Sequence, residues 1–286
     1  MPDAELLAWA GYASWLGVGL LAPLLLAEGF WPRAQQGPFP GRRWRANLAT
    51  FVATALTLRW LPQLSLVAAA LVAQRQGWGL FNVAAAPEFV AIAVAWLAID
   101  LSGYLVHRAE HASRLLWRIH RVHHSDPDVD VTTTYRFHPF EVLLRAVTHV
   151  AVAILMGAPL GAVVGYLLLS AVSSPFSHAN VRLPAWLEQS LGWIVITPGI
   201  HRTHHSLDAA DSNTNFAVSL SVWDRLFGTF RAAPARGWDG LRFGLQSRSA
   251  EEATTILRLL ADPFLPELDV AGDGAEDHHI TSEGTA

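Results

Sequence analysis

The sequence predicts an all-α integral membrane protein, with about four to five transmembrane helices and a helical cap on the cytoplasmic face that carries clustered histidines. Three observations predict it. Of 286 residues, 52% are hydrophobic and only 15% charged, with 12 tryptophans, which is the composition of a chain that lives in lipid. Apolar runs of spanning length recur along the first two thirds of the chain. Among them the triplet HxxHH occurs twice, in "HRVHHSDP" at 120–127 and in "HRTHHS" at 201–206. With 13 histidines in 286 residues, such a triplet arises at any given start with a chance of roughly one in 10⁴, so two copies are not an accident of composition.

The first run, residues 6–27, is too long for the core of a signal peptide, and Asp3 and Glu5 stand where a basic leader would be. It reads as a retained span. Further runs at 47–73, 88–106, 140–157 and 159–176 each approach the ~20 residues that a crossing helix needs. The second contains Arg59 and Pro62, so one kinked helix and a partly re-entrant segment both fit it. The last two form a short hairpin around "MGAP".

Orientation follows from the arginines. Arg33, Arg42, Arg43 and Arg45 lie between the first two runs and assign that stretch to the cytoplasm. Counting crossings from there brings His107 to His138, then His178 and His201, to the same face. This divides the chain into an N-terminal transmembrane region (1–99), a histidine-rich region with a membrane hairpin at about 140–176 (100–232), a C-terminal cytoplasmic segment (233–268) and a disordered acidic tail (269–286) that contains His278 and His279. In a bacterium the membrane would be the inner one.

A net charge of −4 without a basic tract excludes a nucleic-acid partner. The absence of cysteine excludes disulfides, thiolate zinc and iron–sulfur sites, so any metal rests on histidine or carboxylate and any electron carrier is external.

In "DLSGYLVHRAEHAS", Asp100, Tyr104, His107 and His111 fall on one helical stripe. The two histidines can share a metal, and an imidazole N–H is the natural partner of Asp100. His120, His123 and His124 share a helical face, as do His201, His204 and His205. Eight imidazoles exceed the needs of one ion and suit two with positions left open. His178 in "SHANV" is a further candidate ligand. Asn180, two residues on, Asn215 and His138 are candidates for supporting the ligands, although His138 before Pro139 also reads as a helix cap. Glu141, Arg145 and His149 read as an internally paired stripe, Glu110 as a solvated or interfacial charge, and "WDRLFGTF" as a closing segment with Trp223 and Phe227 inward.

Taken in order, "HRAEH", "HRVHH", "SHANV", "HRTHH" and "NTNFAVSLSVWDRLFGTF" resemble the fatty acid hydroxylase/sterol desaturase superfamily from about Asp100 to Phe230. The resemblance implies a membrane di-iron oxygenase that hydroxylates or desaturates a lipid alkyl chain or sterol-like substrate with O₂ and two electrons from a separate electron-transfer protein. It implies His107, His111, His120, His123, His124, His201, His204 and His205 as ligands of two iron ions, for which zinc can substitute, with His178 beside them. No "HPGG" haem motif is present, so no fused cytochrome b5 domain is expected. Two other readings compete: a membrane zinc-binding or metal-transport protein, and an HxxEH zinc metallopeptidase with Glu110 as base, which leaves both HxxHH triplets unused.

Overall fold

The computed structural model describes residues 3–37 and 40–266; the acidic tail with His278 and His279 lies outside the described residues. Among the described residues every regular element is helical, apart from the isolated bridges Pro32–Val181 and Val195–Leu220. The protein is an all-α integral membrane protein. Four segments are long and apolar enough to cross a bilayer: Asp3–Phe30, Glu88–Ala112, Pro139–Met156 and Leu160–His178.

The first of these is two helices in line, α1 (Asp3–Gly19) and α2 (Leu21–Phe30), with α1 packed along the fourth segment, Leu160–His178. The run expected at 47–73 is not a single helix. It breaks at Pro62, which has no N–H to give, into α3 (Pro40–Arg59) and α4 (Leu66–Gln76), α4 capped by Ser65 and ended by left-handed Gly77. The broken pair still joins the two ends of the bundle. Near its start Asn47 bonds Asp126 in the cap, and just past its end Gly79 meets Gly157 at the opposite end. Gly79 has φ 93°, and a Cβ there would sit 2.1 Å from Gly157 N, so neither the backbone angle nor the space admits a side chain.

The short α5 (Leu80–Val83) leads to α6 (Glu88–Ala112), which runs back to the cap; α7 (Arg114–His124) follows after Ser113, whose hydroxyl caps it. The hairpin is α8 (Pro139–Met156) and α9 (Leu160–His178), turning at left-handed Gly157. Its core with α4 and α6 is built from small residues, Ala69, Ala95, Ala153 and Ala162, around Ile99 and Tyr166. Small side chains let helix backbones approach closely where lipid gives no hydrophobic drive to associate.

Past α9 come short helices: α10 (Ala185–Leu191), α11 (Pro198–His204), α12 (Ala209–Ser212), α13 (Val222–Leu226) and α14 (Ile256–Ala261). The C-terminal segment is fastened to the first triplet's helix, since Arg121 Nε bonds Asp262 at 2.7 Å. Arg43, one of the orienting arginines, is buried against Asp126 and Asp130, and Arg33 bonds Glu188. Exposed tryptophans occur near both ends of the bundle, Trp31 and Trp186 at the cap end and Trp60 and Trp78 near the Gly79–Gly157 end, as interfacial anchoring requires.

Candidate metal centre

Each histidine motif ends a helix. His107 and His111 occupy the last turns of α6, His120, His123 and His124 the end of α7, His178 the last position of α9, and His201 and His204 the end of α11, with His205 as its C-cap. Four helix C-termini, the negative ends of their dipoles, thus converge on one volume, an arrangement that favours a cation.

The nine imidazoles separate into two groups. His107, His111, His120, His124 and His204 form one; His123, His178, His201 and His205 form the other; in each, one ligand atom per residue lies within 4.8 Å of the rest. Neither HxxHH triplet serves one group alone. The first sends His120 and His124 to the five-membered group and His123 to the other, and the second sends His204 to the first and His201 and His205 to the second.

Hydrogen bonds set the tautomers. His123 Nδ1 donates to the Arg136 carbonyl at 3.1 Å and His178 Nδ1 to that of Ser174 at 2.8 Å, so both carry their proton on Nδ1. Their Nε2 atoms nevertheless face each other at 3.2 Å. Two lone pairs at that distance repel unless a cation lies between the donors. His107 Nδ1 likewise donates to the Phe216 carbonyl at 2.7 Å and His204 Nδ1 to that of Thr214 at 2.7 Å. Nε2 of His111, His124 and His204 is buried without a hydrogen-bond partner. Buried nitrogens are seldom left so, and a metal satisfies them. Burial first, and mutual crowding second, hold His120, His124, His201 and His205 far below the usual histidine range, and burial takes His204 down to about 3 despite the Thr214 carbonyl. They are neutral, as ligands must be.

Aromatic walls enclose both groups. Phe216 packs on His107, His111 and His204, Trp117 on His111 and His124, and Phe137 stacks on His123 at 4.6 Å.

Residues 92–229, which contain all nine of these histidines, match the fatty acid hydroxylase family. This stretch, a little under half of the chain, is similar to the fatty acid hydroxylase superfamily. The chain is 36% identical over 161 residues to an ornithine lipid hydroxylase of Rhizobium tropici, a match covering 56% of this chain and 46% of that one. It is 29% identical over 179 residues to an alkylglycerol monooxygenase of Danio rerio (59% and 37%), and 30% over 138 residues to a very-long-chain aldehyde decarbonylase of Oryza sativa subsp. japonica (48% and 52%). The chain spans less than half the length of the first two. No solved structure matches it.

Several supporting residues differ from the sequence expectation. Glu110 is not solvated. It is fully buried, its Oε2 2.6 Å from Arg145 Nη2 and 3.6 Å from His120 Nδ1, because α8 lays Arg145 against α6. Glu141, also fully buried, takes the same guanidinium at 3.1 Å and accepts from His120 Nδ1 at 2.8 Å. The paired stripe expected on α8 therefore extends to α6 and backs a candidate ligand. His149 stands apart from both groups, 3.4 Å from the Tyr166 hydroxyl.

Asp100 bonds no imidazole. Its Oδ2 accepts from Trp223 Nε1 at 2.7 Å, since it lies two turns below the histidines, where α13 folds over α6. Phe227, expected to face inward, is 42% exposed, although it stacks on Tyr104 at 5.2 Å. His138 caps α8, accepting from Phe140 N at 3.2 Å, and reaches the Leu260 carbonyl rather than the imidazole groups. Asn180 clamps the chain after α2 through both backbone groups of Ala34. Asn215 makes no bond to an imidazole, yet it shapes the site. Its φ of 56° bends the chain between the two carbonyls, of Thr214 and Phe216, that fix His204 and His107.

Arg136 was not anticipated at all. Fully buried, it bonds the Val122 carbonyl, Ser125 Oγ, Asn47 Oδ1 and the Ala253 carbonyl, while its own carbonyl orients His123.

Proposed function

We propose that this chain is a membrane di-iron oxygenase that hydroxylates a lipid at an alkyl carbon, using O₂ and two electrons delivered by a separate protein. One observation carries the reading: nine imidazoles in two adjoining groups, with lone pairs opposed and several nitrogens unpartnered, at the end of a membrane bundle. The eight histidines of the three motifs, together with His178, would hold the two ions. When bound, the iron pair supplies O₂ binding and redox capacity, chemistry that an unactivated C–H bond requires and hydrolysis cannot provide.

The protein's own share is positioning. Carbonyl and carboxylate acceptors fix His107, His120, His123, His178 and His204 with Nε2 forward, and the aromatic walls keep bulk water from the centre. Glu110 and Glu141 share one guanidinium beside His120, and Glu141 accepts from the His120 Nδ1, which orients that imidazole toward the centre.

The lipid substrate class draws support from the relatives, named for ornithine lipid and alkylglycerol. Arg42 and Arg45 beside the cap support a cytoplasmic orientation of the histidines. Hydroxylation is favoured over desaturation because the matched relatives include hydroxylases and monooxygenases. No specific observation favours metal transport, and the buried ion pair of Glu110 removes it from a peptidase base role.

Mass spectrometry of membrane lipids from cells with and without the gene tests the reading. A lipid gaining one oxygen supports it. Loss of two hydrogens would show desaturation instead, and an unchanged lipid profile in aerated cells would contradict it.

A further inference from the structure

A cavity of about 840 Å³ opens at the cap end of the bundle, apart from both imidazole groups. Its walls come from the chain after α2, from α10 with the residues before it, and from residues 238–243. One lining arginine is already committed. Arg33 Nη2 bonds Glu188 at 2.7 Å, and its guanidinium lies 4.2 Å from the centre of the Trp238 ring. Glu188 also accepts from Gly199 N at 2.9 Å and from the Thr197 hydroxyl, at the start of α11. The cavity therefore shares a wall with the helix that bears the second HxxHH triplet.

Of the four other lining charges, Asp128 accepts from Gly37 N at 2.8 Å and Arg242 donates to the carbonyls of Asp239 and Leu241 at 3.0 Å, while the other two are uncommitted. Arg182 and Asp239 are exposed, and among the described residues neither side chain forms a hydrogen bond or ion pair. A polar cavity that presents one free cation and one free anion complements a ligand carrying both signs.

The depth of the cavity identifies the kind of molecule. Arg182 N donates to the Trp31 carbonyl at 2.9 Å, which places Trp31, 65% exposed, beside it; Phe30 (73%) and Trp186 (70%) are its exposed neighbours along the chain and on α10. Exposed tryptophan and phenylalanine at the ends of spanning helices mark the headgroup layer of a bilayer. A zwitterion presented at that depth is a lipid headgroup.

We propose that this cavity binds the zwitterionic headgroup of a membrane lipid, its anionic oxyacid against Arg182 and its ammonium against Asp239. The inference rests on the reading of a lipid substrate and deepens it: the headgroup is held beside α11 while the alkyl chain remains in the bilayer.

The test is native mass spectrometry of the full chain in neutral detergent, with three probes: phosphatidylethanolamine, diacylglycerol with the same acyl chains, and free phosphoethanolamine. The proposal expects phosphatidylethanolamine to be retained in preference to diacylglycerol. It expects Arg182→Gln and Asp239→Asn each to weaken that retention about tenfold, the scale of one charge-assisted contact, with diacylglycerol unaffected. Both positions are exposed, so folding is preserved. Equal retention of diacylglycerol, or phosphatidylethanolamine retention indifferent to both substitutions, would overturn it. Free phosphoethanolamine held as tightly as the lipid would overturn the lipid assignment in favour of a soluble zwitterion. The outcomes separate from those of the oxygenase reading: lipid oxidation without headgroup selectivity defeats this inference alone, and selective binding without oxidation defeats that reading alone.

Discussion

His120 places one ring nitrogen 2.8 Å from Glu141 Oε1 and the other 3.1 Å from His107 Nε2, so a buried carboxylate stands directly behind one imidazole of the five-membered group. The candidate ligands of the four-membered group whose Nδ1 contacts are known, His123 and His178, lean on neutral carbonyls. A carboxylate behind a ligand raises its basicity and fixes its orientation, and loss of such a partner typically costs about 10- to 100-fold in metal affinity. Glu141→Gln, which keeps an acceptor but removes the charge, is expected to weaken one of the two bound irons by that factor and to leave the second nearly unchanged. Chelator competition followed by iron analysis reads this. Equal loss of both irons, or of neither, would contradict the asymmetry.

Asn215 is the only non-glycine residue with positive φ among those described. Its side chain donates to the carbonyls of Ile200 and Arg231 and accepts from Arg231 N. The left-handed conformation costs an ordinary residue about 1–2 kcal/mol, and each lost hydrogen bond about 1 kcal/mol. Asn215→Ala is thus expected to lower thermal stability in detergent markedly, while Asn215→Gly, which restores the backbone freedom but not the bonds, falls between. Identical losses for the two variants would show that the backbone angle does not matter.

Asp224 offers a pH signature away from the imidazoles. Burial holds its carboxyl up at about 6, although the Thr229 hydroxyl and the amides of Phe216 and Ala217 pull it down. The unfolded group titrates near 3.8, so between about 4 and 6 the folded chain binds the extra proton. Its contribution to stability therefore falls as pH rises through that window, by about 3 kcal/mol in all, and is level above it. The infrared difference between the wild type and Asp224→Asn should contain a protonated-carboxyl band that disappears near pH 6. A band already lost at pH 4 would contradict the burial argument.

The parts of the site visible in the sequence are those set by local spacing. Residues four apart on a helix share a face, so "HRAEH" and the two HxxHH triplets could be recognised one motif at a time, and apolar length located the spans. What stayed hidden depends on contacts across the chain. Glu110 and Arg145 are 35 residues apart, and a glutamate beside histidines at a span end reads as solvated until α8 is laid against α6. Asp100 and Trp223 are 123 residues apart, so no local rule pairs them. Arg136 acts through carbonyls, which carry no sequence signature. The break at Pro62 was visible as a proline, but whether it bends or divides the helix is decided by packing against α8 and α9.

The central claim is that the two histidine groups hold one metal ion each. The iron content of the purified full chain after loading with ferrous iron tests it most directly, compared between the wild type and His201→Ala, which removes a ligand from the four-membered group alone. About two irons per chain are expected in the wild type and about one in the variant, the scale set by two closed imidazole sites. A single iron in the wild type, or an unchanged content in His201→Ala, would contradict it.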